Sequence, residues 1–182
     1  MKKQPGPDGV LAAWQTSNRV TEFFFEHLPD EVWKLKIPGA QRKSVRMIAG
    51  HLHNSRCMWI KMIGRSYGLK PPASVNRSRV SRRELLRALK QSNQGIITLL
   101  RLGLDQGGAL RMEMPWANIP PDVVHFMAYL IAHEAHHRGQ IVLAARESGH
   151  RLPPAMTNGL WQWKQRLRET PVRPVKLKEG TP

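Results

Sequence analysis

Apolar residues recur along the chain at helical spacing and almost nowhere with the alternation of a strand. From Val10 to Leu28, the set Leu11, Trp14, Val20, Phe24 and Leu28 keeps mostly to steps of three or four and halts at Pro29, which predicts a first helix. A connector with Trp33, Ile37 and a Pro38-Gly39 break follows as far as Arg42. Ser44 is the expected N-cap of a second helix, in which Val45, Ile48, Ala49, Leu52, Trp59, Ile60 and Ile63 recur before Gly64. Met47, Met58 and Met62 add a second apolar strip, so this helix is expected to be buried on more than one side.

Gly68 and Pro71-Pro72 open a basic loop, and Ser81 to Glu84 then fits a capping box with Val80 and Leu85 as its staple. The pattern of the third helix runs through Leu89, Ile96 and Leu100 toward Gly103. Pro120-Pro121-Asp122 starts the fourth and longest, which passes Val123, Phe126, Leu130, Ile141 and Ala144 and stops at Gly149. Long helices joined by Pro- and Gly-containing connectors predict an all-α, up-down four-helix bundle. The expected organisation is a flexible N-terminus over 1–9, the bundle over 10–169 and a disordered basic tail over 170–182. The bundle would close with a short aromatic segment, Leu160-Trp161-Gln162-Trp163, whose two tryptophans are expected to cover its open end.

A length of 182 residues suits one domain around one core. The lone Cys57 excludes an internal disulfide and a cysteine-based zinc finger, and is expected to be a packed thiol. No long uninterrupted apolar window is present, so a membrane span is not expected. The N-terminus is basic but lacks the apolar run of a signal peptide, which makes the cytoplasm the expected address.

Charge changes the picture more. The formal net charge is +16, yet residues 32–83 hold 13 Lys and Arg and no Asp or Glu, leaving +3 for all the rest. Such a segment raises a nucleic-acid or anionic-surface binding function. Against it, the cations are scattered over a helix and a loop, and no known binding motif accompanies them.

The candidate chemistry lies in the histidines. His51 and His53 fall on the second helix, and His133, His136 and His137 on the fourth. At about 100° per residue, His133 and His137 sit one turn apart within the stripe of Phe126, Leu130 and Ile141, whereas His136 points elsewhere. Two imidazoles so placed can share a metal ion across bonds of roughly 2.0–2.1 Å. A single buried histidine more often just makes hydrogen bonds; two in register, with others on a second buried helix, favour a metal. Periodicity leaves the third ligand open between His51 and His53. Glu22, Glu26 and Asn18 on the first helix are candidate acceptors for a second ring nitrogen. Arg138 reads as a surface or interhelix ion-pair residue and Gln140 as a polar edge.

His133 to His137 also spell H-E-x-x-H, in which Glu134 would be the general base of a zinc protease. The extended protease pattern calls for Gly at 140 and His at 143, where Gln140 and Leu143 stand, and the chain offers no strand to hold a peptide. This reading is therefore a minor alternative.

Two blocks resemble the DinB family of four-helix-bundle metalloproteins: Ser44 to Leu52 followed by Trp59, and His133-Glu134-Ala135-His136-His137-Arg138-Gly139-Gln140-Ile141. The resemblance spans about residues 10–165, and the closing Leu160 to Trp163 is also similar to members. It implies a divalent metal, zinc or nickel, on His51, His133 and His137. His51 is selected over His53 because the family's histidine stands eight residues before an aromatic, here Trp59. It further implies a hydrolase or thiol transferase acting on a small molecule, and paired bundles in a homodimer. The acid-free segment has no counterpart role in that family. The expectation is that it draws an anionic substrate toward the metal, with charge reversals at Arg46 and Arg56 as the test.

Overall fold

The computed structural model describes residues 7–170 except 113 and 115. Residues 1–6 lie outside the described residues, as does the expected tail over 170–182 apart from Thr170. Helix α1 (Pro7–His27) leads into a short α2 (Asp30–Trp33), then strands β1 (Lys36–Ile37) and β2 (Ala40–Ser44). Three long helices follow, α3 (Val45–Gly64), α4 (Arg82–Asp105) and α5 (Val123–Glu147), and two short ones, α6 (Pro154–Gly159) and α7 (Trp163–Glu169).

The long helices start where side chains satisfy their first free N–H groups. Ser44 Oγ accepts from Met47 N, Ser81 and Glu84 form a reciprocal capping box, and Asp122 accepts from Val124 N and His125 N. The connector expected before α3 instead folds into an antiparallel hairpin, turned at Gly39, whose φ of +71° favours glycine.

Buried apolar residues form two clusters. One gathers Phe24, Leu28, Val45, Leu52, Leu85, Leu89, Ile141 and Ala145; the other gathers Leu11, Trp14, Trp59, Ile63, Ile96, Leu100, Val123 and Phe126. Each long helix contributes one end to each cluster, and the order of those ends gives the direction of each helix. α1 and α5 run one way, α3 and α4 the other. The alternating up-down order expected from the sequence is thus corrected to up-down-down-up. The physical reason is the segment between α3 and α4, which turns at Gly68 and runs back along α3. Asn54 pairs with the backbone of Val75 in both directions, and Arg77 Nε donates to Met47 O near the start of α3. α1 packs on α4 and α5, as does α3.

A second correction concerns the methionine strip. Met58 and Met62 are exposed and Met47 is half-buried, so that flank of α3 is left partly open among the described residues. Among the described residues, no helix is long and apolar enough to cross a membrane.

Candidate metal centre

Between the two apolar clusters every long helix turns polar residues inward: Asn18, Thr21 and Glu22 from α1, His53 and Arg56 from α3, Ser92 from α4, Glu134 and Arg138 from α5. Burying such groups is costly unless they are paired. The Arg56 guanidinium binds Glu134 through Nε to Oε1 (2.6 Å) and Nη2 to Oε2 (2.9 Å), and donates to Asn18 Oδ1 (2.7 Å). Thr21 Oγ1 donates to Glu134 Oε2 (2.7 Å) and accepts from Arg138 Nη1 (2.6 Å). Burial opposes ionisation of Glu134, but the adjoining Arg56 outweighs it and holds the carboxyl below its ordinary range.

This network disposes of the protease reading. Glu134 is 1% exposed and both its oxygens are committed, so it cannot act as a base toward a metal-bound water. Arg56 is equally buried, so it is not a steering charge. Arg82, another cation of the acid-free segment, pairs with Asp30 across 2.7 Å and lies over the Trp33 ring.

The histidines divide differently. His51, on the partly open flank of α3, and His133 and His137, on the adjacent flank of α5, converge. His51 Nε2 lies 3.3 Å from His133 Nε2, and His137 Nε2 lies 3.1 Å from the same atom. Two bonds of about 2.0–2.1 Å at a tetrahedral angle hold their ligand nitrogens roughly 3.3–3.4 Å apart, close to both of these separations, and the three ligand atoms all lie within 4.8 Å of one another. These three are the one group of metal-ligand side chains so assembled among the described residues, and all three are half-buried. The three-histidine cluster can therefore hold a metal ion.

His53, two residues from His51, is not brought to the cluster. Its ring is fully buried, Nδ1 pairs with Ser92 Oγ (3.1 Å) and Nε2 with Ala73 O (2.9 Å) on the returning segment. Cys57 packs beside it, and burial pushes its thiol up to about 11. His136 remains exposed on the outside of α5.

None of the acceptors named on α1 reaches a histidine: Asn18 and Glu22 belong to the Arg56 network. The partner of His137 is Gln140, whose Oε1 accepts from Nδ1 at 2.7 Å. That bond keeps the proton on Nδ1 and leaves the Nε2 lone pair facing the cluster. The signal was available, since a residue three places on shares the same helical flank.

The same packing sets the ionisation. Burial, with repulsion from His137 and His133, drives the His51 imidazole down to about 4, and burial also lowers His133 and His137. All three are thus unprotonated, as ligands must be, at neutral pH. Arg77 acts on His51 and His137 in the same direction, and Lys43 on His51. Arg77 reaches this position because Gly50 permits it: a Cβ there would meet the Arg77 backbone at 3.2 Å. Tyr129 stacks on His133 at 6.0 Å between ring centroids, and Trp59 meets Tyr129 edge-on at 5.6 Å. Tyr129 is the exposed ring beside the cluster, and Trp59 is buried behind it.

The expected cover by the two tryptophans is not seen. Trp161 is 83% exposed and Trp163 lies half out of the surface. In comparisons with known proteins, the sequence model of the DinB family matches residues 2–170, nearly the whole chain. No curated protein matches it.

Proposed function

The chain belongs to the DinB family, and from that premise we propose that it is a divalent-metal-dependent enzyme acting on a small anionic substrate, by hydrolysis or by thiol transfer. The observation that carries this reading is the convergence of three unprotonated Nε2 atoms with nothing else of the chain filling the remaining coordination positions among the described residues. A site with three protein ligands leaves room for water or a thiol, as catalytic sites do and closed structural sites do not. Zinc or nickel suits an all-imidazole set. When bound, the ion lowers the pKa of a water or thiol beside it and offsets charge developing on the substrate.

The residues around the cluster supply the rest. His137 is oriented by Gln140. Lys43 and Arg77 add positive potential where an anion would approach, a part that the buried Arg56 cannot take. The exposed ring of Tyr129, backed by the buried Trp59, offers an apolar face for the uncharged part of a substrate.

The test is metal content of protein purified without chelator and reloaded with zinc or nickel. Wild type and His53→Ala should carry about one ion per chain, and His51→Ala and His137→Ala close to none. Retention of the ion by both of the latter variants would overturn the reading. Tight, salt-sensitive nucleic-acid binding that survives loss of the histidines would favour the basic segment as the functional element instead.

A further inference from the structure

Helix α5 carries a second feature on the flank away from its histidines. There a cavity of about 470 Å³ opens between α5, α1 and the α6–α7 region. Its walls are apolar, with Val20, Ile131, Val142, Leu143, Leu160 and Trp161 among them, and it shares no residue with the histidine cluster. Leu143 at 56% and Trp161 at 83% exposure hold apolar surface in water at its mouth. The volume falls within the roughly 300–1,000 Å³ of small-molecule sites.

The charges lining this cavity are of one sign. Arg138 and Arg146 line it, and no Asp or Glu does. Arg146 is exposed at the rim, but Arg138 is only 8% exposed. Arg138 makes one hydrogen bond among the described residues, from Nη1 to Thr21 Oγ1, and no ion pair within 4 Å. Its Nε and Nη2 bond no other group among the described residues and keep access to solvent. The Arg56–Glu134 pair nearby is already matched one to one, so Arg138 is a nearly buried cation with donors still free for an anion.

We propose that this cavity is a binding site for an amphipathic carboxylate, whose apolar chain or ring fills the space between Leu143 and Trp161 and whose carboxylate pairs with Arg138. A guanidinium fork matches a carboxylate in geometry as well as charge. The site is independent of the metal centre in its residues, so it stands whether or not the enzymatic reading does.

Gly139 provides the means of testing it. A Cβ at this position meets nothing within 4 Å, and the residue lines the cavity. Gly139→Phe therefore plugs the site while replacing a helical glycine with a better helix former. The probes are dodecanoate, dodecanol and dodecyltrimethylammonium, kept below aggregation, with the full chain followed by tryptophan fluorescence and titration calorimetry. Dodecanoate should bind one to one, with dodecanol at least tenfold weaker and the cation weaker still. Gly139→Phe should abolish binding at unchanged helicity, and Arg138→Gln should weaken dodecanoate at least tenfold while leaving dodecanol unaltered. Equal affinity for the three probes would overturn the proposal, as would undiminished binding in Gly139→Phe. So would sedimentation showing that wild type is a dimer which Gly139→Phe makes monomeric, since a second copy would then be the occupant.

Discussion

Two polar clusters span the same pair of helices within about a turn of each other, and their bonding differs throughout. Arg56 and Glu134 are each 1% exposed, and each is satisfied by the other and by Asn18 or Thr21. His51, His133 and His137 are half-buried, and their three ligand nitrogens gather within 4.8 Å of one another, with Gln140 the one hydrogen-bond partner behind them among the described residues. The first cluster has used its bonding capacity inside the fold; the second has kept it for something else. Burial and polarity alone would rank the Arg56 pair as the more unusual feature. Unspent bonding capacity is what marks the histidines as a site.

Substitutions should separate the two clusters sharply. Arg56→Ala leaves Glu134 as an unpaired buried charge and should lower stability by about 3–5 kcal/mol in urea unfolding. His133→Ala in the metal-free chain should change it by less than about 1 kcal/mol, because no completed bond is lost. Comparable losses in both would erase the distinction. Next in size, Gln140→Leu should weaken metal affinity by about 10–100-fold in a chelator competition, with the metal-free unfolding midpoint unmoved.

Acid should resolve the clusters along the pH axis. Folded His51 takes up its proton only near pH 4, whereas the unfolded chain takes it up near the ordinary 6.5. Between those values the unfolded state binds more protons, so the metal-free protein should lose stability as pH falls from about 6.5 toward 4. His51→Ala should flatten that decline. The contribution of Glu134, whose folded pKa is depressed, should be intact above its ordinary 4.5 and be lost only below it. The smallest expected effect is electrostatic: Lys43→Glu and Arg77→Glu should reduce turnover of an anionic substrate a few-fold at low salt and little at 0.5 M. Arg46→Glu serves as the reference, since its Nη1 instead reaches Ser78 O.

Much of this was legible in the residues. The caps at Ser44, Ser81 and Asp122 and the stripe bearing His133 and His137 are local, and the structure has them. Helix direction was not legible, because it depends on whether the Gly68 to Ser81 segment doubles back along α3, a matter of tertiary contacts such as Asn54 with Val75. The hairpin at Lys36–Ser44 is too short for alternation to declare itself. The Arg56–Glu134 pair was missed, though a signal existed. Each residue falls in the middle of its helix's apolar stripe, Arg56 in line with Leu52 and Ile63, Glu134 in line with Leu130 and Ile141. A full charge in such a place demands an opposite one across the core.

The span of the histidine cluster along the chain has one more consequence. His51 and His133 are separated by 82 positions, and their helices come from opposite halves of the sequence. Any ion gripped by both is a reversible cross-link that closes a long loop, and by the entropy of a comparable covalent tie that is worth up to about 4–5 kcal/mol. Metal supply would then set the lifetime of the chain as well as its chemistry. The loaded protein should outlast the stripped one in protease, which makes degradation a readout of metal status.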